Sequence, residues 1–182
     1  MTPDGDAGAE VAGLIHRLLR DVPDFPQPGI VFKDIAPLLA DGPAFDAVIH
    51  GLAEAAGPGG IDVVAGIEAR GFLIAGALAR QLGCGVLPVR KAGKLPPPTV
   101  RRAYALEYGE AEIEVPLGLL EGKRVMLVDD VLATGGTLRA AAELLAQAGA
   151  TVTGMAVILE LGFLDGRAVV GDIAPLTALL TT

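Results

Sequence analysis

Four short apolar runs, at residues 61–67, 86–90, 125–128 and 151–159, alternate along the chain with stretches that repeat Ala and Leu at helical spacing. Short runs rich in Val and Ile suit strands buried on both faces of a sheet. Between them, residues 72–82 stop at Gly83 and a stretch opening at Gly135 and Gly136 stops at Gly149, the pattern of helices with glycine at the carboxyl end. Strand, helix, strand, helix, strand in this order predicts an α/β chain with a mostly parallel sheet and helices on both faces. Ligands of such sheets bind outside the carboxyl ends of the strands. The loops that follow the apolar runs are therefore where function is to be sought.

The most informative of these loops follows the third run. Residues 125–137 read VMLVDDVLATGGT. An apolar strand closes on the adjacent carboxylates Asp129 and Asp130, and a loop from Ala133 to Thr137 then enters a helix. Gly135 and Gly136 let backbone N–H groups surround an anion, and the helix N-terminus adds partial positive charge. Thr134 and Thr137 add hydroxyl donors. Paired carboxylates accept hydrogen bonds from sugar hydroxyls, so the segment describes a site for ribose 5-phosphate. There is no Walker loop and no dinucleotide fingerprint.

The remainder reads more coarsely. Residues 1–8 are small and acidic and are expected to form a disordered tail, with residues 9–182 as a single domain. From Glu10 onward Val11, Leu14, Ile15, Leu18 and Leu19 share one helical face. A proline-rich segment follows, then an extended piece at residues 30–32, a turn at Asp41-Gly42-Pro43 and a helix over residues 45–56. Residues 91–103 hold three consecutive prolines and little periodicity, so a loop is expected there, with a hairpin or flap over residues 104–115.

Composition narrows the function classes. The formal charge is −8, which repels DNA and anionic membrane over a Debye length. The lone Cys84 has no intramolecular disulfide partner, and no Cys/His spacing suits zinc. No signal peptide or apolar span is visible. A cytoplasmic protein without nucleic-acid or membrane partners is the expectation. One basic stretch breaks the acidic trend: Arg90, Lys91, Lys94, Arg101 and Arg102.

The 125–137 segment resembles the phosphoribosyl pyrophosphate (PRPP) motif of the type I phosphoribosyltransferases. Other stretches resemble the adenine branch of that family: DFPQPGIVFKDI (24–35), GIEARGF (66–72), VRKAGKLP (89–96), YALEYG (104–109) and ILELGFLDGR (158–167). Together they span roughly residues 14 to 167 in the family's order. The resemblance implies a type I phosphoribosyltransferase fold with a small amino-terminal hood at about residues 21–40 and a mobile flap at about residues 91–115. It implies an enzyme of purine salvage that converts adenine and PRPP into AMP and pyrophosphate, a homodimer, and Mg²⁺ bound mainly through PRPP and pyrophosphate rather than by dedicated protein ligands.

Residue by residue, the resemblance puts the ribose hydroxyls on Asp129 and Asp130 and the 5-phosphate in the loop Ala133, Thr134, Gly135, Gly136 and Thr137. It puts pyrophosphate on Ala69, Arg70, Arg90, Lys91 and Lys94. Adenine falls to Phe25, Val31, Phe32, Lys33 and Val131, with backbone groups of Val31 and Lys33 reading the base edge. Glu107, in the flap, becomes the catalytic candidate; by itself it reads as an exposed hairpin acid. His16 and His50 fall outside every motif. Three departures stand out. Lys33 replaces the usual Arg, Pro97-Pro98 replaces a glycine at the flap's first hinge, and the stretch after Arg167 is apolar and unlike the family pattern. Two rival readings are another purine base on this scaffold and a non-catalytic PRPP sensor that regulates transcription. Residues 24–35 argue against the first. The acidic charge and the short first helix argue against the second.

Overall fold

The computed structural model describes residues 6–57, 60–106 and 109–182. Helix α1 (Asp6–Leu18) opens four residues before the apolar spacing begins, within the stretch expected as a tail. Its face of Val11, Leu14, Ile15 and Leu18 packs inward as the periodicity requires. Strands β1 (Arg20–Pro23) and β2 (Val31–Asp34) form a separate two-stranded antiparallel ribbon, with Arg20 opposite Asp34. The proline-rich turn between them is closed by the Asp24 carboxylate, which accepts from the Gly29 N–H at 2.8 Å.

Helices α2 (Ala36–Ala40) and α3 (Gly42–Glu54) follow. The segment Asp41-Gly42-Pro43, expected as a turn, is the start of α3. The Asp41 carboxylate accepts from the Ala44 N–H at 3.0 Å, and Pro43 fits a first helical turn, where its missing N–H costs nothing. The chain then runs β3 (Val63–Ile67), α4 (Arg70–Leu82), β4 (Gly85–Lys91), β5 (Thr99–Leu106), β6 (Gly109–Pro116), β7 (Arg124–Leu132), α5 (Gly136–Gln147) and β8 (Thr151–Glu160). A 3-10 turn (Gly162–Leu164), helix α6 (Gly166–Val170) and β9 (Leu176–Thr181) complete it.

The main sheet has the order β5-β6-β4-β3-β7-β8-β9. Its five strands from β4 to β9 are parallel, and the β5–β6 hairpin adds antiparallel to the edge of β4. This is the mostly parallel sheet that the sequence predicts. Three details differ. Residues 99–103, expected as loop, are strand, because Thr99 to Ala103 pair with Glu112 to Pro116. Strand β7 does not stop at Val128 but runs through both aspartates to Leu132, held by β8 up to the pair Leu132 and Glu160. The atypical apolar stretch after Arg167 supplies β9, which pairs with β8 from Leu176 to Thr181 and buries Leu176, Ala178 and Leu179.

Alternation along the strands divides the core in two. Val64, Met126, Val128, Ala156 and Ile158 face a layer made by α1 to α4. Ala65, Ile67, Val125, Leu127 and Val157 face α5 and the base of the β5–β6 hairpin. From β3 the chain builds outward to β4 on one side and to β7, β8 and β9 on the other. The crevice at the carboxyl ends of β3 and β7 is thus the switch point at which ligands bind in open sheets.

Candidate active site

A cavity of about 1160 Å³ opens at that switch point. Its floor is made by residues just past β3 (Glu68, Ala69, Arg70) and by the end of β7 and the loop beyond it (Asp129, Asp130, Val131, Ala133, Thr134, Gly136, Thr137). The β1–β2 ribbon supplies Ile30, Val31, Phe32 and Lys33 on one side; Lys91, Ala92, Tyr104, Ala111 and Glu112 come from β4 and the hairpin. A cleft this large accommodates two ligands side by side.

Two glycine-dependent close approaches shape the floor. Gly66 on β3 faces the first turn of α4, where a Cβ would lie 2.5 Å from the Gly71 carbonyl oxygen. The start of α4 can therefore lie directly over β3 and β7. Gly135, before the first turn of α5, has φ of +83°, and a Cβ there would lie 2.5 Å from the Gly166 carbonyl oxygen. The anion loop is thereby clamped between β7 and α6. Helix α5 opens at Gly136 with no side-chain cap, so its first-turn N–H groups lack intrahelical carbonyl partners.

The paired aspartates are under electrostatic tension. The Asp130 N–H donates to Asp129 Oδ1 at 2.9 Å. Burial, and then the neighbouring Asp130 charge, push the Asp129 carboxyl well above the usual carboxylate range. Arg70 Nε lies 2.5 Å from Asp130 Oδ2, but not in line to donate, so that buried oxygen has no hydrogen bond. Polar atoms buried in this way ask for a ligand. The Arg70 guanidinium also stands 5.1 Å from the centre of the Phe32 ring, which links the aspartate floor to the ribbon.

The basic stretch divides. Lys91 lines the cleft, whereas Arg90 and Lys94 are not among its lining residues. Arg90 pairs with Glu68 at 3.3 Å, donates to the Lys94 carbonyl at 3.2 Å and lies 5.8 Å from the centre of the Phe72 ring. The Lys94 N–H donates to the buried Glu114 carboxylate at 2.8 Å. Glu68 is held below its usual range by the Lys91 N–H, with Arg90 assisting. Of the residues expected around adenine, Val31, Phe32, Lys33 and Val131 line the cleft. Phe25 packs edge-on against Phe32 with ring centres 5.2 Å apart, and the Lys33 ammonium is drawn to Asp21 at 2.8 Å. Gly135 acts through its backbone, beneath the lining residues. Glu107 lies outside the described residues. Sequence reasoning missed Leu161 and Leu164, which add apolar lining; they sit beyond β8, where no local pattern signals a pocket.

The chain matches the family model described as "Phosphoribosyl transferase domain" over residues 38–167. It is 56% identical to the adenine phosphoribosyltransferase of Kineococcus radiotolerans over 182 residues, covering 100% of this chain and 96% of that one. It is also 56% identical to that of Streptomyces coelicolor, over 94% of this chain and 96% of that one. Among solved structures, adenine phosphoribosyltransferase from Rhodothermus marinus superposes with a TM-score of 0.90 at 42% identity, over 96% of this chain and 99% of the other. The Giardia lamblia enzyme complexed with 9-deazaadenine gives 0.89 at 40% identity, over 94% and 97%.

Proposed function

The chain belongs to the adenine phosphoribosyltransferases of the type I phosphoribosyltransferase family, and we propose the following division of labour in its cleft for the reaction of that family. N9 of adenine forms a bond to C1′ of PRPP, the bond from C1′ to pyrophosphate breaks with its electron pair, and AMP and pyrophosphate leave. The observation that carries the reading is the juxtaposition, in one cleft, of a tense aspartate pair, a glycine-built anion loop at a helix start, and the Val31–Lys33 edge.

Asp129 and Asp130 accept hydrogen bonds from the ribose hydroxyls, a role supported by the raised Asp129 carboxyl and by the Asp130 oxygen that has an ion pair but no hydrogen bond. Ala133 to Thr137 hold the 5-phosphate at the start of α5. Lys91 reaches pyrophosphate directly beside Ala69 and Arg70. Arg90 and Lys94 belong to the same anion-binding wall, Arg90 by bracing the loop through Glu68 and the Lys94 carbonyl. Adenine lies against Val31, Phe32 and Val131, with Phe25 buttressing Phe32 and the main chain of Val31 and Lys33 reading the base edge.

Glu107 receives the N9 proton or faces the positive charge that develops on the ribose, and positioning with electrostatics supplies most of the rate. The family resemblance brings Mg²⁺ to the cleft mainly through PRPP and pyrophosphate. Bound there, the ion neutralises phosphate charge. The resemblance extends to a homodimer in the cytoplasm. The lone Cys84, whose thiol burial pushes up, suits a reducing compartment. No helix among the described residues is long and apolar enough to cross a membrane.

The test is AMP formation from PRPP with a panel of bases. Adenine should react far faster than hypoxanthine, guanine or xanthine, and a faster rate with hypoxanthine would overturn the base assignment while leaving the fold. In the same assay Glu107→Gln should lower kcat by roughly a hundredfold to ten-thousandfold with the melting temperature unchanged. Normal turnover would remove Glu107 from the chemistry.

A further inference from the structure

Tyr104 is a hairpin residue whose side chain meets the anion loop. It stands on β5, lines the cleft and packs against the core cluster that holds α5. Its hydroxyl lies 3.5 Å from Thr137 Oγ1, with Thr137 placed to donate; the separation is longer than an ordinary O–H···O bond. Both groups are rotatable hydroxyls, so the reverse direction is equally open to them. Two residues earlier, and so on the same face of the strand, Arg102 forms an ion pair with Glu143 of α5. Arg139 Nε holds the other Glu143 oxygen at 3.0 Å and joins Asp172 at 2.9 Å. The strand that carries Tyr104 is therefore moored to α5, the helix whose start forms the anion loop.

A phosphate monoester offers acceptors only, so Thr137 must donate to it. A threonine hydroxyl in a first helical turn has a competing choice, which is to donate to a nearby backbone carbonyl. A second hydroxyl that donates to its oxygen removes that choice and directs the proton outward. We propose that Tyr104 is a positioning residue for the 5-phosphate: its hydroxyl donates to Thr137 Oγ1 and turns the Thr137 proton towards the phosphate. The inference rests on the reading that Ala133 to Thr137 take the 5-phosphate. It gives β5 a role in substrate binding distinct from that of Glu107. This coupling requires the contact to be tighter in the phosphate complex, as catalytic hydrogen bonds often are.

The experiment uses the full chain as wild type, Tyr104→Phe, Thr137→Ala and the double variant, with ribose 5-phosphate titrated by calorimetry and initial rates measured in parallel. Tyr104→Phe keeps the ring and its packing. It should weaken ribose 5-phosphate and raise KM for PRPP by about threefold to tenfold, the reach of one neutral hydrogen bond, and leave KM for adenine and the melting temperature unchanged. In the Thr137→Ala background the same change should cost nothing further, whereas in a Thr137→Ser background it should cost as much as in wild type. Wild-type affinity in Tyr104→Phe, or losses that add across the double variant, would overturn the coupling and leave the phosphate reading in place. Unchanged affinity in Thr137→Ala would instead remove the phosphate reading, and the coupling with it.

Discussion

Glu114 on β6 and the Asp129–Asp130 pair on β7 are carboxylates treated in opposite ways. Glu114 has no exposed surface, and its oxygens accept from the Lys94 and Leu95 N–H groups at 2.8 Å, the Thr99 hydroxyl at 3.2 Å and Arg101 Nε at 3.0 Å. Burial pushes it up, yet the N–H groups of Leu95, Lys94 and Gly93, with Thr99, outweigh burial and hold it at about 2. On β7, Asp130 is buried and Asp129 is half-buried; Asp129 is pushed upward, and one Asp130 oxygen has the Arg70 ion pair but no hydrogen bond. A carboxylate that serves the fold finds its donors within the chain. The aspartates are left short of such donors, as the proposed role in taking sugar hydroxyls requires.

The largest expected effect tests the ligand side of this contrast. Asp129→Asn combined with Asp130→Asn removes two charge-assisted acceptors, each worth about 1.5 to 3 kcal/mol. It should lower kcat/KM for PRPP by roughly a hundredfold to ten-thousandfold without lowering the melting temperature. A large thermal loss with near-normal kinetics would make these aspartates structural and break the comparison. Glu114→Gln tests the fold side. It leaves the same donors facing an amide, and should cost about 1.5 to 3 kcal/mol, or roughly 3 to 12 °C in Tm for a chain of this size.

The two carboxylates also have opposite pH signatures. Because Glu114 is held at about 2, its stabilisation is complete above the ordinary glutamate range and is lost as pH falls through that range towards 2. Asp129 is raised, so its contribution is present at low pH and is lost as pH rises through its folded-state value. Melting curves against pH should show Glu114→Gln flattening the acid limb and Asp129→Asn flattening the opposing loss.

The smallest effect sharpens the division of the basic stretch. Lys91→Ala should raise KM for PRPP about threefold to thirtyfold and change KM for adenine less. Equal effects on both substrates would make Lys91 a solvated surface group.

What the sequence disclosed follows the same divide. Local patterns exposed the strands, the glycine stops and the 125–137 loop, because each depends on neighbours in the chain. The aspartates were recognisable as a site, but not the passage of β7 through them, since that ladder is made by Val157 to Glu160, about thirty residues on. Residues 99–103 read as loop because three prolines precede them and their strand partners come after the turn. Glu114 carried no local signal at all: its donors come from residues 94–101 and converge only once the hairpin is folded. Leu161, Leu164 and β9 were hidden for the same reason. The Arg90, Lys91 and Lys94 cluster is continuous in sequence, yet only Lys91 lines the cleft, because strand alternation and the Glu68 and Glu114 carboxylates pull its neighbours elsewhere.

That β7 continues past β3 also sets the site's internal clock. Asp129, Val131 and Leu132 lie in register with β8, so their amides should exchange with solvent hydrogen only through openings close to the global unfolding of the sheet. On the opposite wall, the β5–β6 hairpin is paired to β4 at Arg90 and Lys91, and among the described residues Ala103 to Leu106 pair with their own return strand, Gly109 to Glu112. Amides there should exchange through local openings many times faster. Exchange followed amide by amide should therefore find one wall of the cleft among the slowest amides of the sheet and the other among the fastest.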